Sequence, residues 1–138
     1  MYREIVTSRG EAYCHLFFHC CMGGSLVRRE SAFTVAKFVE GGINADVDVI
    51  DEMDRYNAYQ PFIDDELDFL GYLISIINPA SPITLYFYCI EIILADRSSM
   101  EDAITLLKKI AFALELSSHE QFTAIKMIEE VKAAEVAA

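Results

Sequence analysis

The sequence predicts a single all-α domain spanning residues 1–138, folded as a compact bundle of about seven helices. Apolar residues recur every three or four positions through most of the chain, which is the helical period. The strict alternation between turns that marks strands is missing. Glycine pairs, prolines and Ser-x-x-Glu capping boxes divide the pattern into segments of helical length. A chain of this length buries a core without disulfide or metal support.

Glycine pairs end the first two predicted helices, and Asn44 can cap the third. In the first helix only a narrow stripe is polar, formed by Glu11, His15 and His19, so we expect this helix to be buried on most sides. In the second and third helices the apolar residues, including Phe33, fall on one inward face. The predicted boundaries of these helices are Glu11–Met22, Arg28–Glu40 and Ala45–Tyr59.

Prolines and capping boxes open the remaining four predicted helices. Pro61 suits the first turn of the fourth helix, and Ser81-Pro82 opens the fifth. The body of the fifth is apolar except for Glu91, which predicts a central position beside the first helix. Capping boxes at Ser98-x-x-Glu101 and Ser117-x-x-Glu120 precede the last two. The predicted boundaries are Pro61–Ile77, 82–96, Met100–Glu115 and Ser118–Ala134.

The chain is strongly acidic, with a formal net charge of −11 at pH 7. Phosphate binding requires clusters of Lys and Arg, and the sequence contains none, which excludes a nucleic-acid partner and disfavours an anionic membrane surface. The longest apolar stretch, Pro82 to Ala95, is shorter than the about 20 residues that span a bilayer. We therefore expect neither nucleic-acid binding nor membrane insertion.

The composition is nevertheless apolar, with 54% hydrophobic residues and a mean hydropathy of +0.27. Either the core is large for the chain, or a partner covers part of the apolar surface. This balance predicts a protein partner, and a homodimer in particular.

The four cysteines lie in apolar, helix-like runs and show no C-x-x-C spacing. The N-terminal residues MYREIVTSRGEAY are charged and contain no apolar core of a signal peptide. Buried, reduced thiols in a cytoplasmic protein are the plain interpretation. The cysteines are Cys14, Cys20, Cys21 and Cys89.

One pattern occurs twice, in residues 17–44 and 91–118: an apolar helix, a short turn, an amphipathic helix and then a further helix start. It predicts two similar helical hairpins packed against each other. Short turn motifs within the copies are Met22-Gly23-Gly24-Ser25-Leu26 with Glu30, Ala95-Asp96-Arg97-Ser98 with Ala103, and the helix ending Leu114-Glu115-Leu116.

These motifs resemble the acidic turn A-D-G-x-h-x-x-x-E and the Leu-Gly-Leu-like ending of the TerB-like tellurite-resistance family. The first copy has Gly23 where the family has Asp, and the second has Ala103 where the family has Glu. The resemblance implies an all-helical fold of two repeats, a bound divalent cation and a role in stress responses. The implied ligands are Glu30, Asp96, Glu101 and Asp102.

A hard cation requires several oxygens converging at about 2.0–2.6 Å, so these four carboxylates would have to meet in space. The alternative is that Asp96 ends one helix while Glu101 and Asp102 lie in the capped first turn of the next.

The stripe of Glu11, His15 and His19 is a second candidate metal site. His15 and His19 are one helical turn apart, so both imidazoles could reach one zinc ion, with Glu11 as a third ligand. The alternative interpretation is a polar stripe on a mostly buried helix, because a zinc site needs three or four ligands.

Glu91 is a candidate of another kind. A carboxylate in an otherwise apolar helix must be paired, hydrogen-bonded, protonated or at the surface, and burial would raise its pKa. Beside Tyr88 it is a candidate general acid or base. The alternative is a stripe that faces solvent or pairs with an Arg or Lys.

No Walker A loop, G-x-S-x-G, G-x-G-x-x-G or H-E-x-x-H motif occurs in the sequence. We therefore predict a non-catalytic cytoplasmic interaction or sensing module, linked to stress by the resemblance, without a catalytic residue or cofactor. The alternatives are a divalent-cation or zinc-binding domain and a small enzyme that uses Glu91.

Overall fold

The computed structural model describes residues 1–21, 29–39, 47–96 and 100–137. Within these ranges the chain forms eight α-helices and one short 3₁₀ helix, and no strand. The helices are α1 (Tyr2–Ile5), α2 (Arg9–Cys21), α3 (Arg29–Phe38), α4 (Val49–Tyr59), α5 (Glu66–Ile77), α6 (Pro82–Asp96), α7 (Met100–Ala113) and α8 (Ser118–Ala137). The predicted all-α class is confirmed.

Helix α2 is the centre of the packing, as predicted. Every side chain from Ala12 to Cys21 is buried, and α2 contacts α3, α4, α5 and α6. Helix α6 packs against α2, α3, α7 and α8, yet Thr84, Phe87 and Glu91 are exposed along one face. The prediction of a central fifth helix is therefore only partly correct. Among the described helices, none combines the length and hydropathy needed to cross a membrane.

Two helices begin later than predicted, because aspartate side chains rather than proline or asparagine cap them. The Asp48 carboxylate accepts from the Asp51 backbone N–H at 3.1 Å and starts α4. The Asp65 carboxylate accepts from the Asp68 N–H at 3.1 Å and starts α5. Pro61 lies instead in the 3₁₀ helix Gln60–Phe62. The predicted cap Asn44 lies outside the described residues.

The predicted capping box before α8 is confirmed. The Ser117 N–H donates to Glu120 Oε1 at 2.9 Å, and the Glu120 N–H donates to Ser117 Oγ at 3.2 Å. The corresponding box at Ser98 lies outside the described residues.

Phe33, which was predicted to face inward, and Phe122 both lie at the surface. Phe33 is 58% exposed, since Ala32 and Val35 of α3 and Val39 directly after it are buried in the core instead. Phe122 is 65% exposed, and among the described side chains of α8 only Ala124 is buried. The sequence identified the apolar residues of each helix, but which of them turn inward depends on the neighbouring helices.

Candidate functional site

Six polar side chains form a cluster in the interior where α2, α4 and α5 meet. On α2 the two histidines are one turn apart, and on α4 three side chains share one face at the spacing i, i+4, i+7. The sixth side chain is that of Glu66, the first residue of α5. The members of this His–Tyr–Glu cluster are His15, His19, Glu52, Tyr56, Tyr59 and Glu66.

The inner half of the cluster contains His15 between Tyr59 and Glu52. The His15 Nδ1 lies 2.5 Å from the Tyr59 hydroxyl, and its Nε2 lies 2.9 Å from Glu52 Oε1. His15 is fully buried, and Tyr59 and Glu52 are 1% and 5% exposed. This half is therefore closed to solvent.

The outer half repeats the same order of groups around His19. The His19 Nδ1 lies 2.7 Å from the Tyr56 hydroxyl, and its Nε2 lies 2.7 Å from Glu66 Oε2. The Glu66 side chain is 32% exposed, and its other oxygen accepts from Lys109 Nζ of α7. The outer half therefore reaches the surface through Glu66 and Lys109.

Burial fixes the proton positions in the inner half. It lowers the pKa of His15 to about 4, so the imidazole is neutral near pH 7. A neutral ring has one N–H, and Glu52 as a carboxylate only accepts, so Nε2–H donates to Glu52. The Tyr59 O–H then donates to Nδ1. Burial also raises the pKa of Glu52 and that of Tyr59.

The Glu66 carboxylate in the outer half is held in its charged form. The hydrogen bond from His19 is the largest cause, and with that from Lys109 it lowers the pKa of Glu66 to about 2 against an opposing effect of burial. Burial raises the pKa of Tyr56, as it does for Tyr59. The cluster thus contains two ion-paired carboxylates that differ in exposure: Glu52 is buried, with Arg55 Nε 3.9 Å from its Oε2, and Glu66 is partly exposed and pairs with Lys109.

Aromatic rings and helix α1 cover the cluster. The Tyr2 ring packs on Phe69 with centroids 5.0 Å apart, and Phe69 packs edge-on against His19 at 5.2 Å. Asp68 holds α1 in place, because it accepts from the Tyr2 hydroxyl at 2.6 Å and from Arg3 at 2.9 Å. In the described part of the chain, every buried side-chain nitrogen and oxygen has a hydrogen-bond partner.

The order carboxylate, imidazole, hydroxyl is that of a catalytic triad, in which a histidine activates a nucleophile. Here the hydroxyl is a phenol with a raised pKa, and Tyr56 and Tyr59 are 0% and 1% exposed. A substrate could not reach either oxygen without separating α2 from α4. The arrangement fixes the register of the three helices, since each histidine has one set of partners.

The predicted trio of Glu11, His15 and His19 does not converge on one point. Glu11 Oε1 accepts from the N–H groups of Thr7 and Ser8 at 3.1 and 2.9 Å, which makes Glu11 the acid of a capping box at the start of α2. Each histidine uses both ring nitrogens on other side chains. The zinc hypothesis gains no support from this geometry.

The carboxylates implied by the TerB-like resemblance are only partly described. Glu30 and Asp102 are exposed, on α3 and α7 respectively. The side chains of Asp96 and Glu101, and most of both turn motifs, lie outside the described residues. Among the side chains that are described, no three His, Cys, Asp or Glu residues form a group able to hold a metal ion. Cation binding stays a prediction.

Glu91 is not the buried acid that one interpretation of the sequence required; of the alternatives left open, the structure shows the surface position. Its side chain is exposed, on the face of α6 that also carries Thr84 and Phe87. The sequence pattern alone could not decide the position of Glu91, because one carboxylate in an apolar helix is equally consistent with a buried site and with a solvent-facing stripe.

All four cysteines are free and buried, as expected. Burial raises the pKa of Cys14 to about 12. A hydrogen bond with Cys89, followed by burial, raises the pKa of Cys20 well above its ordinary value. Thiolates are the reactive form, so these positions are those of structural thiols.

A second feature is an open groove of about 460 Å³ between α5 and the corner that joins α7 to α8. Its rim exposes apolar side chains, since Phe112 is 70% and Leu67 44% exposed. None of its residues belongs to the His–Tyr–Glu cluster. The α5–α8 groove is lined by Leu67, Gly71, Phe112, Ala113, Glu115, Leu116 and Gln121.

The comparisons with known proteins leave the chain without an identified relative. No family model, no curated protein and no solved structure matches it significantly. The interpretation of both features therefore depends on their own geometry.

Proposed function

We propose that this chain is a non-catalytic interaction module that binds a partner protein in the α5–α8 groove. The observation that carries the proposal is the exposure of Phe112 and Leu67 on the rim of an open apolar groove. Burying such side chains against a partner removes apolar surface from water, which favours association by about 25 cal/mol per Å² before the cost of ordering.

The groove fits side chains of a protein better than a small molecule. Small-molecule sites enclose most of the ligand and direct several polar groups at it. Here the groove is open, and its polar lining residues are Glu115 and Gln121. A large exposed aromatic such as Phe112 is typical of an interface anchor, because binding energy concentrates on such residues.

The His–Tyr–Glu cluster also supports a non-catalytic assignment. The groups with shifted pKa that resemble a catalytic set, His15 and Glu66, do not line the groove. His15 and both tyrosines are shielded from solvent. The ionisable cluster and the accessible groove are therefore separate features, whereas an active site would combine them.

The experiment uses a synthetic amphipathic helix of Leu and Gln, roughly 15 residues long so that it can form a helix. Its binding is measured by fluorescence anisotropy to the full chain and to two variants. G71L places a side chain in the groove, where a Cβ at Gly71 meets nothing within 4 Å. F112S removes the exposed anchor. We expect saturable binding to the unmodified chain and a loss of about tenfold or more in both variants.

F33S is the matched control, because Phe33 is 58% exposed but lies on α3, outside the groove. It should bind like the unmodified chain. The proposal fails if no amphipathic peptide of any charge binds, or if F33S weakens binding as much as F112S.

The family and location belong to the same proposal. A TerB-like, two-repeat origin and a link to stress responses rest on the turn motifs alone. A cytoplasmic location is supported by the four free, buried thiols. The binding of an apolar partner in the groove depends on neither.

A further inference from the structure

We infer that the segment bound in the α5–α8 groove is a basic amphipathic helix. This inference rests on the proposed function and names the partner's chemistry. It follows from the shape of the groove and from the charges beside it.

The shape suits a helix lying lengthwise. One wall is α5, with Leu67 and Gly71 one turn apart, and the other is Phe112 at the end of α7 together with Leu116 in the turn that follows it. An amphipathic helix presents apolar anchors at i, i+3 or i+4 and i+7, which match the one-turn spacing along the α5 wall. Gly71 keeps the space between the walls open, since it has no side chain to fill it.

Glu115 is the charged residue among those that line the groove. The chain segments around the lining residues carry further acids, each within about one helical turn of a lining residue in sequence. By the same measure the basic residues are Lys108 and Lys109, and Lys109 already pairs with Glu66, while Arg3 pairs with Asp68. The acids considered are Asp64, Asp65, Glu66, Asp68, Glu115 and Glu120.

After those pairings, the acids Asp64, Asp65, Glu115 and Glu120 outnumber the one remaining lysine of these segments, Lys108. A ligand with Lys or Arg along its polar edges would complement them, and an acidic ligand would be repelled. A second copy of this chain is disfavoured for the same reason, because it would bring the same acids and a further charge of −11 to the interface.

The test compares three peptides that share one Leu pattern and differ only in polar residues, namely Lys, Gln and Glu. We expect the Leu/Lys peptide to bind the full chain about tenfold more tightly than the Leu/Glu peptide at low salt. The difference should shrink at about 1 M salt, where the screening length falls to about 3 Å. G71L should weaken binding of the Leu/Lys and Leu/Gln peptides together.

Two charge variants locate the effect. E115K should reduce the ratio of Leu/Lys to Leu/Glu affinity several-fold, and E115Q should reduce it by less. D54K makes the same change in net charge on α4, which contributes no groove residue, and should leave the ratio unchanged. Urea unfolding confirms that each variant is folded.

The outcomes separate the two proposals. If all three peptides bind equally and G71L abolishes binding, the interaction module stands and the basic partner is wrong. If D54K changes the ratio as much as E115K, the preference reflects net charge, and the local inference is wrong. If light scattering finds a dimer that G71L dissociates, a second copy occupies the groove and the inference is overturned. If none of the peptides binds, both proposals fail.

Discussion

The His–Tyr–Glu cluster and the α5–α8 groove share helix α5 but differ in what they bury. In the cluster, every polar side chain is hydrogen-bonded, and all but Glu66 are removed from water. In the groove, Leu67 and Phe112 are left in contact with water. Burying polar groups fixes how helices fit together, whereas exposing apolar ones leaves a surface for a partner. Substitutions in the cluster should therefore change stability, and substitutions in the groove should change binding.

The largest expected effect is in the inner half of the cluster. H15A removes the partner of the buried Tyr59 hydroxyl and leaves the buried Glu52 only its longer ion pair with Arg55. We expect it to lower the free energy of unfolding by about 3–5 kcal/mol. H19A should cost less, because Glu66 is partly exposed and keeps Lys109. Urea unfolding of both variants measures the difference. An equal or reversed order would show that the two halves are not distinguished by exposure.

Acid should act on the two halves in different pH windows. The folded-state pKa of His15 is about 4 against an ordinary 6.5, so the unfolded chain binds the proton more readily. Stability is full above pH 6.5 and falls as the pH drops towards 4, by as much as about 3 kcal/mol from His15 alone. Glu52 opposes this fall, since its raised pKa favours the folded state on protonation.

Glu66 should act at lower pH. Its pKa is about 2 in the folded chain against 4.5, so its contribution is present above pH 4.5 and lost as the pH falls towards 2. Unfolding measured across the pH range should show less loss between pH 6.5 and 4 in H15A, and less loss below pH 4.5 in E66Q. If H15A keeps the full slope between pH 6.5 and 4, another group is responsible.

A smaller effect of opposite sign is expected at Gly71. Glycine within a helix costs about 0.5–1 kcal/mol relative to alanine, and a Cβ at this position meets no atom within 4 Å. G71A should therefore raise the urea midpoint. A lowered midpoint would mean that the groove is closed at Gly71.

The smallest effect on stability is expected at Phe112. Because the side chain is 70% exposed, F112S should change the free energy of unfolding by less than about 0.5 kcal/mol while it weakens peptide binding. This contrast with H15A is the sharpest form of the comparison. A loss of stability comparable to that of H15A would place Phe112 in the core.

The sequence was sufficient to predict helices α2 to α8, but not the short α1. It was also sufficient for the burial of α2, because the polar stripe of Glu11, His15 and His19 is so narrow. It was not sufficient for the partners of that stripe. Glu52 looks like the acids Asp51 and Asp54 beside it, and only the packing of α4 against α2 turns it inward to 5% exposure. The spacing of Glu52, Tyr56 and Tyr59 on one face was the available signal.

The role of Glu11 and the presence of the groove also differ from what the sequence predicted. Ser8-x-x-Glu11 is itself a capping box, and that pattern identifies the role of Glu11 better than its distance from the histidines does. The groove could not be predicted, since it depends on how the α7–α8 corner sits against α5. Phe112 is exposed although phenylalanine is apolar and is usually buried, and only the packing of the helices shows this.

The isolation of His15 gives the molecule an internal reporter. Its Nε2 proton lies between a fully buried ring and Glu52, so exchange with water requires α2 and α4 to part. Such a proton should persist long enough to give a separate imidazole N–H resonance in proton NMR. The exchange rate of this proton would then report how often α2 and α4 separate, without any added label.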